Sequence, residues 1–229
     1  MSAYADLVAD SGLSAAHRLL LAAVPDGALV LDVGCSEGYL AAALARRGCE
    51  VHGVERDERA AAAARAHCAQ VWAIDVEDGA ARAALPSGFD AIVLGDVLEH
   101  LRDPWSALAW AAGRLRAGGI AVVSVPNAVH WTARREIARG RFPLHDWGTF
   151  DRTHLRWFTR AGARELVSGA GLSIEREQFT PAPLPGEALL RRADAPPGRV
   201  LARARQAAAD RRPALFALQF VLTGRLPAQ

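Results

Sequence analysis

Short apolar runs alternate with amphipathic stretches along the first half of the chain. The runs predict buried strands over residues 28–33, 50–55, 71–74, 89–95 and 120–125, and the stretches between them predict helices over 37–47, 57–67 and from 104 onward. Asp57 is a suitable N-cap, and Asp103 followed by Pro104 is a helix start. Buried strands separated by helices indicate a parallel sheet that is covered on both faces.

The pattern changes after Pro126. Residues 127–158 hold three of the six tryptophans and three of the seven histidines, without a clear period. Helices are predicted over 159–169 and 199–209, and strands over 172–179 and 215–222, with a proline-rich connection over 181–197. We therefore expect an α/β fold with a doubly wound, mostly parallel seven-stranded sheet, an antiparallel edge strand and a helical or irregular lid.

The bulk composition indicates one domain over residues 1–229. Within it we expect a cofactor-binding core over 28–126, a substrate or lid segment over 127–158, and an excursion over 181–212. Hydrophobic residues make up 51% of the chain, and no apolar run approaches the ~18 residues of a membrane span. The first residues do not resemble a signal peptide, so a cytoplasmic protein is expected. The three cysteines show no CxxC spacing, so neither a disulfide framework nor a zinc knuckle is expected, and no metal ligands are assigned.

The stretch "VLDVGCSEGYL", residues 30–40, places Gly34 and Gly38 between a predicted strand and a predicted helix. A glycine loop in that position typically holds a nucleotide, although a simple tight turn is the alternative. A dinucleotide loop would carry a glycine where this chain has Ser36. The chain contains no lysine, which excludes a P-loop.

Acidic residues follow the predicted strands at the carboxyl edge of the sheet. They are Asp32, Glu37, Glu55, Asp75, Asp96 and Glu99. This ring would repel a pyrophosphate and favour a cation. Because Glu55 ends the second strand, it can accept hydrogen bonds from both hydroxyls of a ribose. S-adenosylmethionine, which has a ribose, no phosphate and a positive charge, fits these requirements.

Four segments resemble the motifs of class I S-adenosylmethionine-dependent methyltransferases: "LDVGCSEG", "GVERD", "AIDVED" and "FDAIVLGDVLEHLRDP". Ser36 departs from the central glycine of the family's first motif. The resemblance implies an enzyme that binds S-adenosyl-L-methionine. It assigns the methionine part of the cofactor to the loop residues Gly34, Cys35, Ser36 and Gly38, with Asp32 beneath them. It assigns the ribose to Glu55, with Arg56 beside it, and the adenine to Asp75 and Val76. Gly95 and Asp96 are assigned to the methionine end. Asp75 could instead cap the following turn, and Glu99 could be a solvated residue at a helix start.

The segment after the fifth strand contains a D-R-T-H-L-R-x-F-T core. It resembles a segment of bacterial methyltransferases that modify small molecules and sugars. Its tryptophans would form apolar walls, and its histidines and acids would make directional contacts. We predict His154 as the first candidate base, Asp151 as a residue that orients it or binds substrate, and His145 as a further catalytic candidate, followed by His130. The alternative is that residues 151–154 form a structural turn, and His100 is expected to be structural.

Three functions remain open at this point. The first is methylation of a small-molecule acceptor, at a hydroxyl of a sugar or a natural-product intermediate. The second is a partner protein with little or no catalysis, because "VPNAVHW" and "GRFP" also resemble methionine-biosynthesis (MetW-like) proteins. The third is methylation of RNA or another macromolecule. The net charge of +2, and an arginine-rich stretch over 191–212 that contains no aromatic residue, argue against nucleic acid. A homodimer is compatible with the sequence.

Overall fold

The protein folds around a single seven-stranded sheet. A computed structural model describes residues 13–185 and 198–228. The strands are β1 (Leu29–Val33), β2 (Glu50–Glu55), β3 (Gln70–Ala73), β4 (Phe89–Gly95), β5 (Leu115–Pro126), β6 (Ser173–Pro181) and β7 (Ala217–Arg225). They lie in the order β3-β2-β1-β4-β5-β7-β6. The pairs from β3 to β5 are parallel, and β7 is antiparallel to both β5 and β6. The predicted fold class is confirmed, with the antiparallel pair at one edge.

Helices cover both faces of the sheet. They are α1 (Ala15–Ala23), α2 (Tyr39–Ala45), α3 (Glu58–Ala64), α4 (Gly79–Ala83), α5 (Pro104–Ala112), α6 (Trp131–Ala138), α7 (Arg160–Gly169), α8 (Gly198–Arg211) and α9 (Pro213–Phe216). Asp57 caps α3, Asp103 caps α5 and Thr159 caps α7, each through a side-chain oxygen that accepts a backbone N–H. Local capping chemistry therefore sets these helix starts as the sequence predicts.

Four of the described helices were absent from the prediction: α1, α4, α6 and α9, the last of which covers residues 213–216, where the final strand was predicted to begin at 215. Helix α1 begins with a reciprocal cap, in which the His17 amide donates to Ser14 Oγ over 3.1 Å and the Ser14 amide donates to His17 Nδ1 over 3.3 Å. Histidine takes the position where glutamate usually completes this motif. Helix α6 lies inside the segment over 127–158 that we predicted to be irregular, and it has only one buried residue, Ala133. Its apolar signal is therefore too weak to read from the sequence.

Strand β5 begins at Leu115, five residues before the predicted start. The pairing with β4 shifts register between Phe89 and Ala91, opposite Gly118 and Gly119. Gly118 has φ +72°, and a Cβ on Gly119 would lie 3.0–3.2 Å from carbonyl oxygens of Arg116, Phe89 and Asp90. The two glycines accommodate a bulge within the strand, whereas the prediction used them to separate a helix from a strand.

The core lies in two layers, one on each face of the sheet. Alternate strand residues such as Leu31 and Ile92 pack with α5 and α7, while Val30 and Val93 pack with α1 and α2. This arrangement leaves the carboxyl ends of β1 to β5 as one edge where loops collect. Among the described residues, no helix combines the length and apolar character needed to cross a membrane. Most of the predicted connection over 181–197 lies outside the described residues. The arginines over 191–197 also lie outside them.

Candidate active site

The loop after β1 is held against the end of β2 by its backbone. Gly34 and Cys35 donate backbone N–H groups to the carbonyl oxygen of Val54 over 2.7 and 3.1 Å. Gly34 has φ +75°, and a Cβ there would lie 2.4 Å from a methyl carbon of Val97. Glycine is therefore required at this position by both backbone conformation and space.

Ser36 and Gly38 complete the turn into α2. Both are left-handed, with φ 49° for Ser36 and 81° for Gly38. A Cβ on Gly38 would come within 3.1 Å of the Cα of Ala64 in α3. Ser36 thus adopts a backbone conformation that favours glycine, the residue type of the family's first motif at this position.

The Cys35 side chain turns away from the loop's open side into the layer between β2 and α3. It packs with Ala61, Ala64 and Val71, and it lies where a Cβ on Gly53 would come within 2.6 Å of its sulfur. A hydrogen bond with Cys68, followed by burial, raises the pKa of the Cys35 thiol. A ligand in the loop could therefore contact the backbone of Cys35 but not its thiol.

Glu55 ties the loop after β1 to the start of α3. Its Oε2 accepts the backbone N–H of Ser36 over 3.0 Å, and its Oε1 accepts that of Asp57 over 2.9 Å. The carboxylate is half-buried, and each oxygen keeps a further lone pair for a ligand donor. Arg56, predicted beside it, is exposed.

Asp32 lies beneath the loop and is 3% exposed. Burial, and then the nearby Glu55 carboxylate, raise the pKa of Asp32 to about 7. Its Oδ2 is buried without a hydrogen-bond partner among the described residues. This arrangement suits a cationic ligand, because a positive charge close by would favour the ionised carboxylate.

Asp75 and Val76 follow β3, where the resemblance places the adenine. Asp75 Oδ1 accepts the backbone N–H of Glu77 over 2.8 Å, so the alternative of a turn-capping residue holds for one of its oxygens. A cavity of about 350 Å³ lies here, lined by Asp75, Glu77, Asp78 and Arg102. A second cavity of about 450 Å³ opens near Ala28 and Asp90, at the amino ends of β1 and β4, away from the predicted site.

Asp96, directly after β4, has a left-handed backbone with φ 55°. Its carboxylate accepts the Ser124 hydroxyl over 2.6 Å and the Gln219 amide over 2.9 Å at each oxygen. Before it, a Cβ on Gly95 would lie 2.8 Å from Leu20 Cδ1. Sequence reasoning did not include Gln219, which lies 123 positions from Asp96 on β7 and carries no local signal.

The next turn of chain buries Glu99, which is 1% exposed. The alternative of a solvated Glu99 is therefore wrong. Its backbone carbonyl accepts the amides of Leu155 and Arg156 over 2.8 and 3.0 Å, which brings the segment over 127–158 against the end of β4. Burial, and then the charge of Asp96, raise the pKa of Glu99 well above its ordinary value.

The side chain of His154 faces Glu99. Its Nε2 lies 4.0 Å from Glu99 Oε1, and its Nδ1 lies 3.2 Å from the carbonyl oxygen of Thr149. The ring of His100 packs edge-on against it, with centroids 4.8 Å apart. Burial lowers the pKa of both histidines. His100, which we expected to be structural, therefore joins this group.

Asp151 is linked to His100 through Thr153. Its Oδ1 accepts the amide and the hydroxyl of Thr153 over 2.8 and 2.6 Å, and the Thr153 hydroxyl meets His100 Nδ1 at 3.1 Å. The turn over 151–154 is hydrogen-bonded, as its structural alternative supposes, and it also fixes His100. His145 is exposed and pairs with the chain beside Asp151, because its amide donates to Phe150 and its carbonyl accepts from the Arg152 amide. Its catalytic role stays a prediction.

Aromatic rings cover the group on the side of the predicted lid. Phe142, Phe150 and Trp157 lie with ring centroids 4.7–6.0 Å apart, and Trp157 is 5.6 Å from His154. His130 is buried and hydrogen-bonds the hydroxyls of Thr149 and Thr132. Burial lowers the pKa of His130 to about 4, so this histidine is neutral near pH 7.

Comparison with known proteins agrees with this geometry. The family model described as "Methyltransferase domain" matches residues 9–177. A protein named ubiquinone biosynthesis O-methyltransferase from Azoarcus sp. (strain BH72) is 30% identical over 159 residues, which cover 64% of this chain and 68% of that protein. One of the same name from Alkalilimnicola ehrlichii is 34% identical over 162 residues, covering 65% of each. The chain thus spans about two thirds of these relatives.

A crystal structure described as a SAM-dependent methyltransferase from Archaeoglobus fulgidus superposes with a TM-score of 0.66 at 15% identity, covering 98% of this chain and all of that one. At this identity the likeness concerns the fold. The fold and the family model together define a class I methyltransferase that uses S-adenosylmethionine. The chain belongs to the methyltransferase domain family.

Proposed function

We propose that the protein transfers the methyl group of S-adenosylmethionine to a hydroxyl of a small-molecule acceptor. The observation that carries the proposal is the burial of Glu99 and His154 side by side, directly after the strand end that carries Asp96. The resemblance assigns that strand end to the methionine part of the cofactor. Glu99 and His154 would therefore lie close to the point at which the acceptor hydroxyl loses its proton.

The chemistry requires little beyond placement and proton removal. An acceptor oxygen attacks the methyl carbon, the carbon–sulfur bond breaks, and its electron pair returns to sulfur. Because a sulfonium is a good leaving group, alignment of the two reactants supplies much of the rate. A hydroxyl also loses its proton during transfer, whereas an amine can arrive deprotonated. The group of Glu99, His100 and His154 supports the hydroxyl as acceptor.

The aromatic lining favours an acceptor with an apolar body. Phe142 and Trp157 are about half and two fifths exposed; Trp157 lies beside His154, and Phe142 packs against Trp157. Of the two acceptor types predicted, these rings favour a natural-product intermediate with an aromatic or hydrocarbon portion over an unmodified sugar. The names of the Azoarcus and Alkalilimnicola relatives point to the same class of hydroxyl-bearing small molecule.

Methyl transfer to matched acceptors tests the proposal. The protein is incubated with methyl-labelled cofactor and three compounds: a phenol with a short hydrocarbon tail, the aniline of the same skeleton, and a methyl glycoside. We expect labelled product from the phenol. Equal or faster labelling of the aniline would contradict the choice of a hydroxyl. Binding of S-adenosylhomocysteine without transfer to any member of a broad hydroxyl panel would favour the non-catalytic alternative.

A further inference from the structure

Glu99, His100 and His154 bring three potential ligand atoms together. One atom from each side chain lies within 4.8 Å of the other two. The best-defined pair is Glu99 Oε1 and His154 Nε2, which are 4.0 Å apart, too far for a hydrogen bond. Both side chains are almost fully withdrawn from solvent, at 1% and 6% exposure. The three groups therefore converge without bonding one another directly.

The hydrogen bonds around the histidines define which ring atoms are acceptors. His154 Nδ1 faces the carbonyl oxygen of Thr149, so this nitrogen carries the proton and Nε2 holds a lone pair. His100 Nδ1 faces the carbonyl and the hydroxyl of Thr153 at 3.4 and 3.1 Å. Because that hydroxyl donates to Asp151, it must accept from His100, which leaves the other ring nitrogen of His100 as an acceptor too.

Glu99 contributes a further unmatched acceptor. Its Oε2 is buried and has no hydrogen-bond partner among the described residues. A buried carboxylate oxygen without a donor is costly, and here it accompanies two imidazole lone pairs. The two nearby carboxylates do not provide a partner for Glu99 Oε2. Asp96 is bonded to Ser124 and Gln219, and Asp151 is bonded to Thr153. Three convergent acceptors with no donor between them are the arrangement that a cation completes.

We propose that Glu99, His100 and His154 bind one divalent transition-metal ion. Two neutral imidazoles and a carboxylate suit zinc and its neighbours in the first row, and they leave at least one coordination position open. The bonds from His100 to Thr153 and from His154 to Thr149 fix both rings by their remote nitrogens, as outer partners of metal-bound histidines do. Ligation at about 2.0–2.2 Å requires the three atoms to draw together slightly.

This inference rests on the proposed function and refines it. The acceptor hydroxyl would occupy the open position on the ion, where its pKa falls and its proton passes to water. The resulting oxygen anion attacks the methyl carbon, the carbon–sulfur bond breaks, and neutral S-adenosylhomocysteine leaves. In this arrangement His154 holds the ion, and the hydroxyl proton need not pass to the imidazole. The sequence assigned no metal ligands, and the cysteine spacing does not bear on this site because its proposed ligands are histidine and glutamate.

Cobalt(II) titration of the full chain tests the site without reference to catalysis. Protein freed of metal by dialysis against a chelator is titrated with Co²⁺ alone, and visible absorption and heat are recorded. We expect one ion per chain and a d–d band that Zn²⁺ displaces. Glu99→Gln keeps the shape of the side chain and removes its charge, and His154→Gln removes an imidazole. Each should weaken binding by at least about 10- to 100-fold, since loss of outer partners alone has that effect.

The exposed His67, in the turn that follows α3, gives the matched control, and His67→Gln should bind Co²⁺ as the wild type does. Circular dichroism melting accompanies every variant, and His100→Gln replaces any variant that does not fold. Absence of a band and of binding heat in the wild type, or equal affinity in folded Glu99→Gln, would overturn the metal site. Metal binding without methyl transfer would support the metal site and contradict the proposed function. Methyl transfer that a chelator does not slow would support the proposed function and contradict a role of the metal in it.

Discussion

The Ser36 amide donates to Oε2 of Glu55 over 3.0 Å, which joins the loop after β1 to the last residue of β2. The other oxygen of the same carboxylate accepts the Asp57 amide. A single side chain therefore joins the loop after β1 to Asp57, the N-cap residue of α3. Glu55 therefore fixes the geometry of the loop at the position where the resemblance places the ribose.

We predict that Glu55→Ala weakens the binding of S-adenosylhomocysteine. Two charge-assisted hydrogen bonds to the ribose are worth about 1.5–3 kcal/mol each, and loss of the bond to Ser36 adds a looser loop. Titration calorimetry measures the effect. Glu50→Ala, at the exposed opposite end of the same strand, is the control and should bind normally. If Glu55→Ala retains full affinity, the ribose is bound elsewhere.

Asp32 predicts a pH dependence of stability. Its pKa rises from 3.8 to about 7 on folding, because burial and then Glu55 disfavour the charge. The folded state thus keeps a proton that the unfolded state releases. The favourable contribution is complete below pH 3.8, and it is lost as the pH rises toward 7. The difference in melting temperature between the wild type and Asp32→Asn should decrease between about pH 4 and 7 and stay constant above pH 7. Parallel melting profiles of the two proteins would contradict the raised pKa of Asp32.

Gly34 allows backbone strain and steric overlap to be separated. Gly34→Ala places a Cβ in a left-handed conformation, which costs about 1–2 kcal/mol, and against Val97. Gly48→Ala has the same strain, with φ +76°, but its nearest neighbour atom is 3.9 Å away. We expect Gly34→Ala to lower both the melting temperature and cofactor affinity by more than Gly48→Ala. Adding Val97→Ala should recover part of that difference, and equal losses in the two single variants would contradict the overlap.

Local sequence signals predicted most of the fold, and the assignment of the cofactor residues, which stays a prediction, rests on the same local motifs. The strand ending at Glu55 and the caps at Asp57 and Asp103 are each determined by residues close in the chain. The acceptor side depends on contacts between distant segments. The contact of His100 with His154 spans 54 positions and that of Gln219 with Asp96 spans 123, so neither follows from spacing. Burial of Glu99 likewise depends on the segment that returns to its carbonyl.

His154 provides the sharpest test of the acceptor side. We predict that His154→Ala lowers single-turnover methyl transfer about 10²–10⁴-fold at saturating cofactor, the usual contribution of a group that assists proton removal. Cofactor affinity should change little, because the described contacts of His154 are with Glu99, His100, Thr149 and Trp157 and not with the loop after β1. His67→Ala is the control, and a melting curve accompanies each variant. Joint loss of stability and of cofactor binding would indicate a structural histidine, and full-rate transfer by a folded His154→Ala protein would remove this residue from the reaction.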